Sequence, residues 1–328
     1  MAITSAKSNE QHAFAIAPAP ATLIRHEVLA SSRANLQVIH HEAVMRRILS
    51  TYRYIHQPLT AGLLAEIGHA KIDAIEVFSV PSHFNYRDEQ KIRELSDALG
   101  EYHLELHSLH SPTERDLAPG RESGVPISIS DVERIRRLDA VDEVKRALDV
   151  AERVPFRYLI QHIGHGRDSA DPRKLDAAFT SLEILSVFAK ARGVTIALEN
   201  TPNEIGAPAS LQHFIVDTHL HDLRLCLDTG HAHMDATVEV AFDAMRDRLV
   251  TAHIHDNHGE KDEHLLPYDG TIDWDVTLGA FANAPQPVAM VLELKAQPDG
   301  TPTLDQIRAA FDKLEKNLDT KPDRATKS

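Results

Sequence analysis

One stretch of the sequence, residues 252–274, carries a high density of side chains that bind cations. Its string AHIHDNHGEKDEHLLPYDGTIDW contains His253, His255, Asp256, His258, Asp262, Glu263 and His264. Imidazole and carboxylate groups are the common protein ligands of borderline divalent ions. The stretch begins as an apolar strand, and alternation along a strand places His253 and His255 on one face. This pattern predicts a segment that holds a metal ion.

Other ionisable side chains stand where further apolar runs end. They are His107 and His110, His162 and His165, Glu199, Asp228 and His231, and Glu293. A single histidine at the end of a strand is more often a hydrogen-bonded structural residue than a ligand. These side chains could act together only if the fold brings the ends of their strands to one place.

From about residue 51 onward, apolar runs alternate with helical segments, a pattern that predicts strands and helices in regular alternation. Strands are predicted near residues 52–56, 73–79, 102–107, 156–163, 194–199, 223–228, 249–255 and 288–294. One intervening helix is well marked, with Asp171 as N-cap, Pro172 at the first helical position and Gly193 after its end. Eight alternating units favour a closed (β/α)8 TIM barrel. An open doubly wound sheet is disfavoured because no glycine-rich phosphate turn follows the first strand.

The carboxyl ends of the strands of such a barrel meet on one face, so the polar residues of strands three to eight should surround one cavity. Burying Glu199, Asp228 and Glu293 together near the barrel axis would be costly without a cation. A metal site is therefore predicted at this face.

The segments flanking the barrel divide the chain into three parts. Residues 1–50 are predicted to form a partly flexible N-terminal helical extension, residues 51–315 the barrel, and residues 316–328 a polar tail. The long loop after strand 3, residues 110–131, contains Pro, Gly and Ser. It is interpreted as a lid over the active site or, equally, as a mobile surface insertion.

Composition disfavours several classes of function and location. The net charge of −14 argues against broad binding to nucleic acid or anionic lipid. The single cysteine, Cys226, cannot form an internal disulfide, so a cytoplasmic location is expected, and its apolar setting indicates a core residue. No apolar run approaches the roughly 20 residues that span a membrane, and the N-terminus lacks the basic region of a signal peptide.

Several strings resemble the xylose isomerase-like TIM barrel family, which contains sugar isomerases and epimerases, inosose dehydratases and endonuclease IV. The strings are LENTP, CLDTGHAH, HIHDN with DEHLLPYDGTIDW, and LELK, and the resemblance covers about residues 51–315. By position it implies a shared divalent site formed by Glu199, Asp228, His253 and Glu293. A register shift of two residues would put His255 in place of His253. The ion would be Mn, Mg, Co or Zn.

The isomerase and epimerase branch implies carbohydrate metabolism, with a ketose or related polyol converted by proton transfer through an enediolate. Glu199 and Glu293 would be the general base and acid. His231, with His255 or Lys295, would orient substrate hydroxyls, although Lys295 could equally be a solvated strand end. Trp274 would wall the pocket, or else pack within its own loop.

The endonuclease IV branch implies a two- or three-metal zinc cluster and a phosphodiesterase of the AP endonuclease type. Its additional ligands would be His110, His162, His231, Asp262 and His264. The acidic charge and the strings TPNEIGAPAS and LLPYDGTIDW favour the isomerase and epimerase branch, with an inosose-type dehydratase as a further alternative. A non-catalytic barrel that keeps the metal for stability stays open. Barrels of this type often pair, so a homo-oligomer stays open as well.

Overall fold

Eight parallel strands close into a barrel, in which each strand pairs with its neighbours in chain order and the first also pairs with the last. The computed structural model describes residues 45–115, 125–166, 168–296 and 300–320. The barrel strands are β1 Ile48–Ser50, β2 Ala74–Phe78, β3 Glu105–His110, β4 Tyr158–Gln161, β5 Thr195–Glu199, β6 Arg224–Asp228, β7 Leu249–Ile254 and β8 Ala289–Leu292. The predicted TIM barrel is confirmed.

Helices connect the strands in the order that the sequence predicts. They are α1 Ala61–His69, α2 Glu89–Glu101, α3 Arg134–Asp149, α4 Pro172–Lys190, α5 Pro208–Thr218, α6 Thr229–Asp235, α7 Val238–Met245, α8 Trp274–Ala282 and α9 Leu304–Asp319. In α4 the side chain of Asp171 accepts a hydrogen bond from the backbone N–H of Arg173, and Pro172 begins the helix. Gly193 adopts φ 71° in the turn that follows, as its type predicts.

The first strand lies earlier than predicted. Residues Thr51–Tyr54 form a 3-10 helix, because the Ser50 side chain accepts from the backbone N–H of Tyr52 and starts a tight turn. The aromatic and β-branched residues of this segment suggested a strand. The strand is instead the fully buried Ile48–Ser50, which pairs with both β2 and β8.

The third strand lies three residues later than predicted, at Glu105–His110 instead of 102–107. His103 stands before it with φ 55°, in a turn that ends α2 and redirects the chain. His107 is therefore inside the strand rather than at its end, where the sequence had placed it. A shift of pairing between Ile75 and Glu76 accommodates it as an extra residue in β3.

The half of the barrel interior nearer the amino ends of the strands is apolar. One apolar cluster is formed by Ile48, Ala74 and Val291 of the adjacent strands β1, β2 and β8, and a second by Ile160, Ala197 and Cys226 of the adjacent strands β4, β5 and β6. Burial raises the pKa of the Cys226 thiol to about 12, so it is a core residue, as its sequence setting indicated. A larger apolar cluster fills the space between the strands and the surrounding helices. The polar interior residues that could bind a ligand lie nearer the carboxyl ends of the strands than these apolar clusters.

Three sequence predictions concern residues that the structure describes in part or not at all. The N-terminal extension falls outside the described residues up to position 44, as does the tail beyond 320. Of the proposed lid, Glu114–Arg115 and Val125–Pro126 form a short antiparallel pair, and the residues between them are not described. None of the described helices is long and apolar enough to cross a bilayer.

Candidate metal centre

Four side chains predicted as metal ligands converge at the carboxyl ends of β5 to β8. Glu199 and Asp228 are the last residues of their strands, His253 is the penultimate residue of β7, and Glu293 directly follows β8. One ligand atom from each of the four lies within 4.8 Å of the others, and all four residues are buried. Strand geometry and barrel closure together therefore produce a compact group of three carboxylates and one imidazole.

The Nδ1 atom of His253 lies at the middle of this group. It is 3.2 Å from Glu199 Oε1, 3.3 Å from Glu293 Oε2 and 3.9 Å from Asp228 Oδ2, yet it forms no hydrogen bond. Three carboxylates around one buried nitrogen repel one another unless positive charge lies among them. The donor set and the unsatisfied nitrogen fit a divalent cation.

The protonation of the group reflects this excess of negative charge. Burial raises the pKa of Glu293 well above its ordinary value, and the nearby charges of Glu199 and Asp228 add to the effect. Burial acts in the same direction on Glu199, but His253 and His162 outweigh it and lower its pKa well below the ordinary value. Although burial opposes it, the nearby carboxylates of Glu293, Glu76 and Glu199 also raise the pKa of His253 well above its ordinary value. Without a cation, the crowded negative charge therefore favours the protonated forms of Glu293 and His253.

Glu199 also faces a second group of ligands. Its Oε2 atom lies 3.3 Å from His110 Nε2 and 3.0 Å from His162 Nε2, whereas its Oε1 atom faces His253. Ligand atoms of His110, His162 and Glu199 lie within 4.8 Å of one another. One carboxylate thus stands between two adjacent candidate sites, which is the geometry of a bridging ligand.

A third region surrounds Asp262 at the rim of the cavity. Asp262 Oδ2 lies 2.8 Å from His264 Nε2 and 3.5 Å from His231 Nε2. His264 also forms a compact group with His255 and Glu293. Asp262 has a side chain that is 34% exposed, so this region opens to solvent more than the other two.

Three of these histidines are oriented in the same way, through their Nδ1 atoms. They are His110, His231 and His264, and the acceptors are the backbone oxygens of Ser111, Asn200 and Glu293, at 3.0, 2.9 and 3.1 Å. A nitrogen that donates to a carbonyl carries the proton, so in neutral imidazole the lone pair is on Nε2. In each case Nε2 faces a carboxylate, which is the arrangement of histidines that bind metals.

His255 does not replace His253 in the group of four. Its Nε2 atom lies 3.1 and 3.0 Å from the two oxygens of Asp228, and its ring stacks on His264 with centroids 4.0 Å apart. The geometry therefore favours the register that assigns His253 to the shared site. A Cβ atom at Gly230 would lie 2.0 Å from His255 Cε1, so the glycine of CLDTGHAH makes room for this ring.

Two predicted substrate contacts, Trp274 and Lys295, differ in burial. Trp274 is 2% exposed and its indole N–H donates to Asp256 Oδ2 at 2.7 Å, which fits the alternative that it packs within its own loop. Lys295 is exposed, which fits a solvated strand end, and its backbone N–H lies 3.5 Å from the carbonyl oxygen of His264. Among the other candidates, His165 is exposed, and Asp256 accepts backbone hydrogen bonds that shape the loop.

Sequence reasoning missed three residues beside the centre. Glu76 of β2 is fully buried and reaches His253, and its only signal was a carboxylate in the apolar run AIEVF. The Tyr52 ring lies 4.7 Å from Phe78, whose ring stacks on His110 at 4.1 Å. Together these two form an aromatic wall beside the His110 side of the cavity.

The fold is a closed parallel barrel, and the histidines and carboxylates buried at the carboxyl ends of its strands form groups that could hold a metal ion. The model of the family described as "Xylose isomerase-like TIM barrel" matches residues 62–317. The chain belongs to this family.

Two relatives share parts of the sequence. Uncharacterized protein MJ1614 of Methanocaldococcus jannaschii is 32% identical over 145 residues, which cover 44% of this chain and 57% of the relative. Probable endonuclease 4 of Haloquadratum walsbyi is 27% identical over 178 residues, 48% of this chain and 63% of the relative. The matches thus span little more than half of each relative.

Solved structures show the same fold. A D-tagatose 3-epimerase-like protein superposes with a TM-score of 0.68 and 20% identity, covering 84% of this chain and 98% of that one. The IOLI protein, whose structure holds a zinc atom, superposes with a TM-score of 0.67 and 16% identity, covering 84% and 98%.

Proposed function

We propose that the protein is a divalent-metal-dependent sugar isomerase or epimerase acting on a ketose or related polyol by proton transfer through an enediolate. The observation that carries the proposal is the approach of Glu199 and Glu293, from two different strands, to one nitrogen of His253 at 3.2 and 3.3 Å. Two carboxylates beside one cation site are the groups needed to remove a proton and return it. The similarity to a D-tagatose 3-epimerase-like barrel supports the substrate class.

Glu199, Asp228, His253 and Glu293 would hold the ion. Their three carboxylates and one imidazole suit Mn, Mg, Co or Zn. When bound, the ion would polarise a carbonyl and an adjoining hydroxyl oxygen as a Lewis acid, which makes the neighbouring C–H acidic.

The two glutamates would move the proton between substrate carbons. Glu199 would be the general base and Glu293 the general acid, because their carboxylates approach the same nitrogen of His253 at 3.2 and 3.3 Å and so flank one cation site. His231 would bind a substrate hydroxyl, since its side chain is 12% exposed beside the centre.

Solvent exchange tests this proposal. The metal-loaded protein in D2O should place deuterium on the carbon next to the carbonyl of a ketose substrate, as read by NMR. The Glu199→Gln variant should lose the exchange because it lacks the base. A broad panel of free and phosphorylated ketoses that shows no exchange would contradict the proposal, and water loss from an inosose would indicate a dehydratase instead.

A second candidate is an endonuclease IV-like multi-zinc phosphodiesterase. It is favoured by His110 and His162 on the second oxygen of Glu199 and by the similarity to Probable endonuclease 4. It predicts nicking of a duplex with an abasic site, lost in His162→Asn. Enolisation of a ketose that survives in His162→Asn would instead show that one ion is sufficient and favour the isomerase.

A further inference from the structure

We propose that Glu76 is a positioning residue that keeps the proton of His253 on Nε2, so that Nδ1 is presented to the candidate metal centre as a ligand. This inference rests on metal binding at the centre, which is part of the proposed function, but not on the sugar chemistry. It assigns a role to a buried carboxylate that lies outside the four candidate ligands.

Glu76 contacts His253 across the interior of the barrel. The two residues lie on β2 and β7, which are not neighbours in the barrel, and both side chains are 0% exposed. The Nε2 atom of His253 is 3.1 Å from each carboxylate oxygen of Glu76. Ser108 of β3 donates its hydroxyl to Glu76 Oε2 at 2.8 Å and so fixes the carboxylate from the other side.

The chemistry of the contact determines which nitrogen is free. A carboxylate buried in this way accepts hydrogen bonds and donates none when it is ionised, so the nitrogen that meets it must carry the proton. In the neutral imidazole the lone pair is then on Nδ1, the atom that faces Glu199, Glu293 and Asp228. Without Glu76, either nitrogen of His253 could carry the proton, and one of the two arrangements cannot bind a cation.

The nature of the acceptor also distinguishes His253. His110, His231 and His264 have their second nitrogen on a neutral backbone carbonyl. His253 has its second nitrogen on a carboxylate, which makes an imidazole a stronger donor to a metal and adds a negative charge behind it. Loss of such an outer partner typically lowers metal affinity about 10- to 100-fold.

Glu76→Gln tests the inference because it removes the charge and adds an amide N–H that can donate to Nε2, which would move the proton to Nδ1. The probe is Co2+ alone, with its dissociation constant measured by competition with a chelator and its visible absorption recorded as the signature of the ligand set. Affinity should fall about 10- to 100-fold. The folded content of each variant is checked by circular dichroism.

Glu143→Gln is the matched control. Glu143 is also a buried carboxylate, but it bonds to Tyr86 and Arg87 outside the barrel interior. It should lose stability without any change in Co2+ affinity. A folded Glu76→Gln with wild-type affinity and spectrum would overturn the inference.

A measurement on the wild-type chain keeps the inference testable if Glu76→Gln does not fold. Two-bond 1H–15N correlations of the zinc-loaded protein should show His253 with a proton on Nε2 and a metal-bound Nδ1. A proton on Nδ1 overturns the role of Glu76. A wild-type protein that binds neither Co2+ nor Zn2+ removes the metal centre itself, whereas normal binding without enolisation leaves this inference standing and removes only the sugar chemistry.

Discussion

The two oxygens of Glu199 face different histidines, with His253 on one side and His110 and His162 on the other. A carboxylate placed in this way can bind one ion and keep an oxygen free as a base, or bridge two ions and lose that oxygen. The two proposed functions, isomerase and phosphodiesterase, therefore require different arrangements of the Glu199 carboxylate. Its metal-binding role stays a prediction, whereas its position among the histidines is a property of the structure.

His107 is a buried histidine whose titration can be tested separately from metal binding. It is 2% exposed, both ring nitrogens lack hydrogen-bond partners, and burial lowers its pKa to about 4. Because the folded pKa is below the unfolded value of 6.5, its neutral form costs nothing above pH 6.5, and stability is lost as the pH falls from there towards 4. The loss would be at most about 3 kcal/mol.

His107→Leu should therefore flatten the fall of the unfolding free energy between pH 6.5 and 4. Urea denaturation in the presence of a chelator, at several pH values, measures this without interference from metal. His69→Gln, at an exposed site on α1, should keep the wild-type slope. Equal slopes for His107→Leu and wild type would show that His107 does not titrate as described.

At the scale of elements, the strand and helix order could be predicted because the apolar periodicity and the caps of α4 are local signals. The start of β1 could not, because residues such as Tyr52 and Tyr54 favour strands intrinsically, whereas Ser50 caps a 3-10 turn there. Because Tyr52 was assigned to a strand, its contact with Phe78 in the aromatic wall was not predicted. A separate error, the prediction of β3 three residues too early, placed His107 at a strand end although it lies within the strand.

The junction of β6 and α6 gives a prediction about packing. Gly230→Ala would put a Cβ atom 2.0 Å from the ring of His255, which is held between Asp228 and His264. The ring must move, and overpacking of this kind costs about 1–3 kcal/mol. Thermal unfolding should show the loss, and the stack of His255 on His264 should be disturbed.

Gly100→Ala is its matched control, since Gly100 lies on the exposed side of α2 and a Cβ atom there meets nothing within 4 Å. Alanine should leave stability unchanged or raise it by up to about 1 kcal/mol. If both glycine variants behaved alike, the packing of His255 against α6 would be wrong.

At the scale of the whole molecule, barrel closure is what makes the site. Glu76 and His253 are separated by 177 positions in the chain, and they meet because β2 and β7 face each other across the interior. The strand-end residues could be predicted because parallel strands place their ends on one face. The contact of Glu76 could not, because the sequence does not show which interior side chains meet across a barrel.

Polar and apolar side chains are unevenly distributed inside the barrel. The interior near the amino ends of the strands is packed with apolar side chains, whereas the interior near their carboxyl ends contains buried carboxylates and histidines. Such a concentration of buried ionisable groups reduces stability unless a ligand compensates it. We propose that a divalent cation bound between Glu199, Asp228, His253 and Glu293 provides this compensation.

Anomalous scattering from crystals grown with zinc, recorded at the zinc absorption edge, tests this claim most directly. The predicted result is an anomalous difference peak bounded by Glu199, Asp228, His253 Nδ1 and Glu293, with a second peak beside His110 and His162 if Glu199 bridges two ions. Saturating zinc that leaves no peak among these four side chains would contradict it.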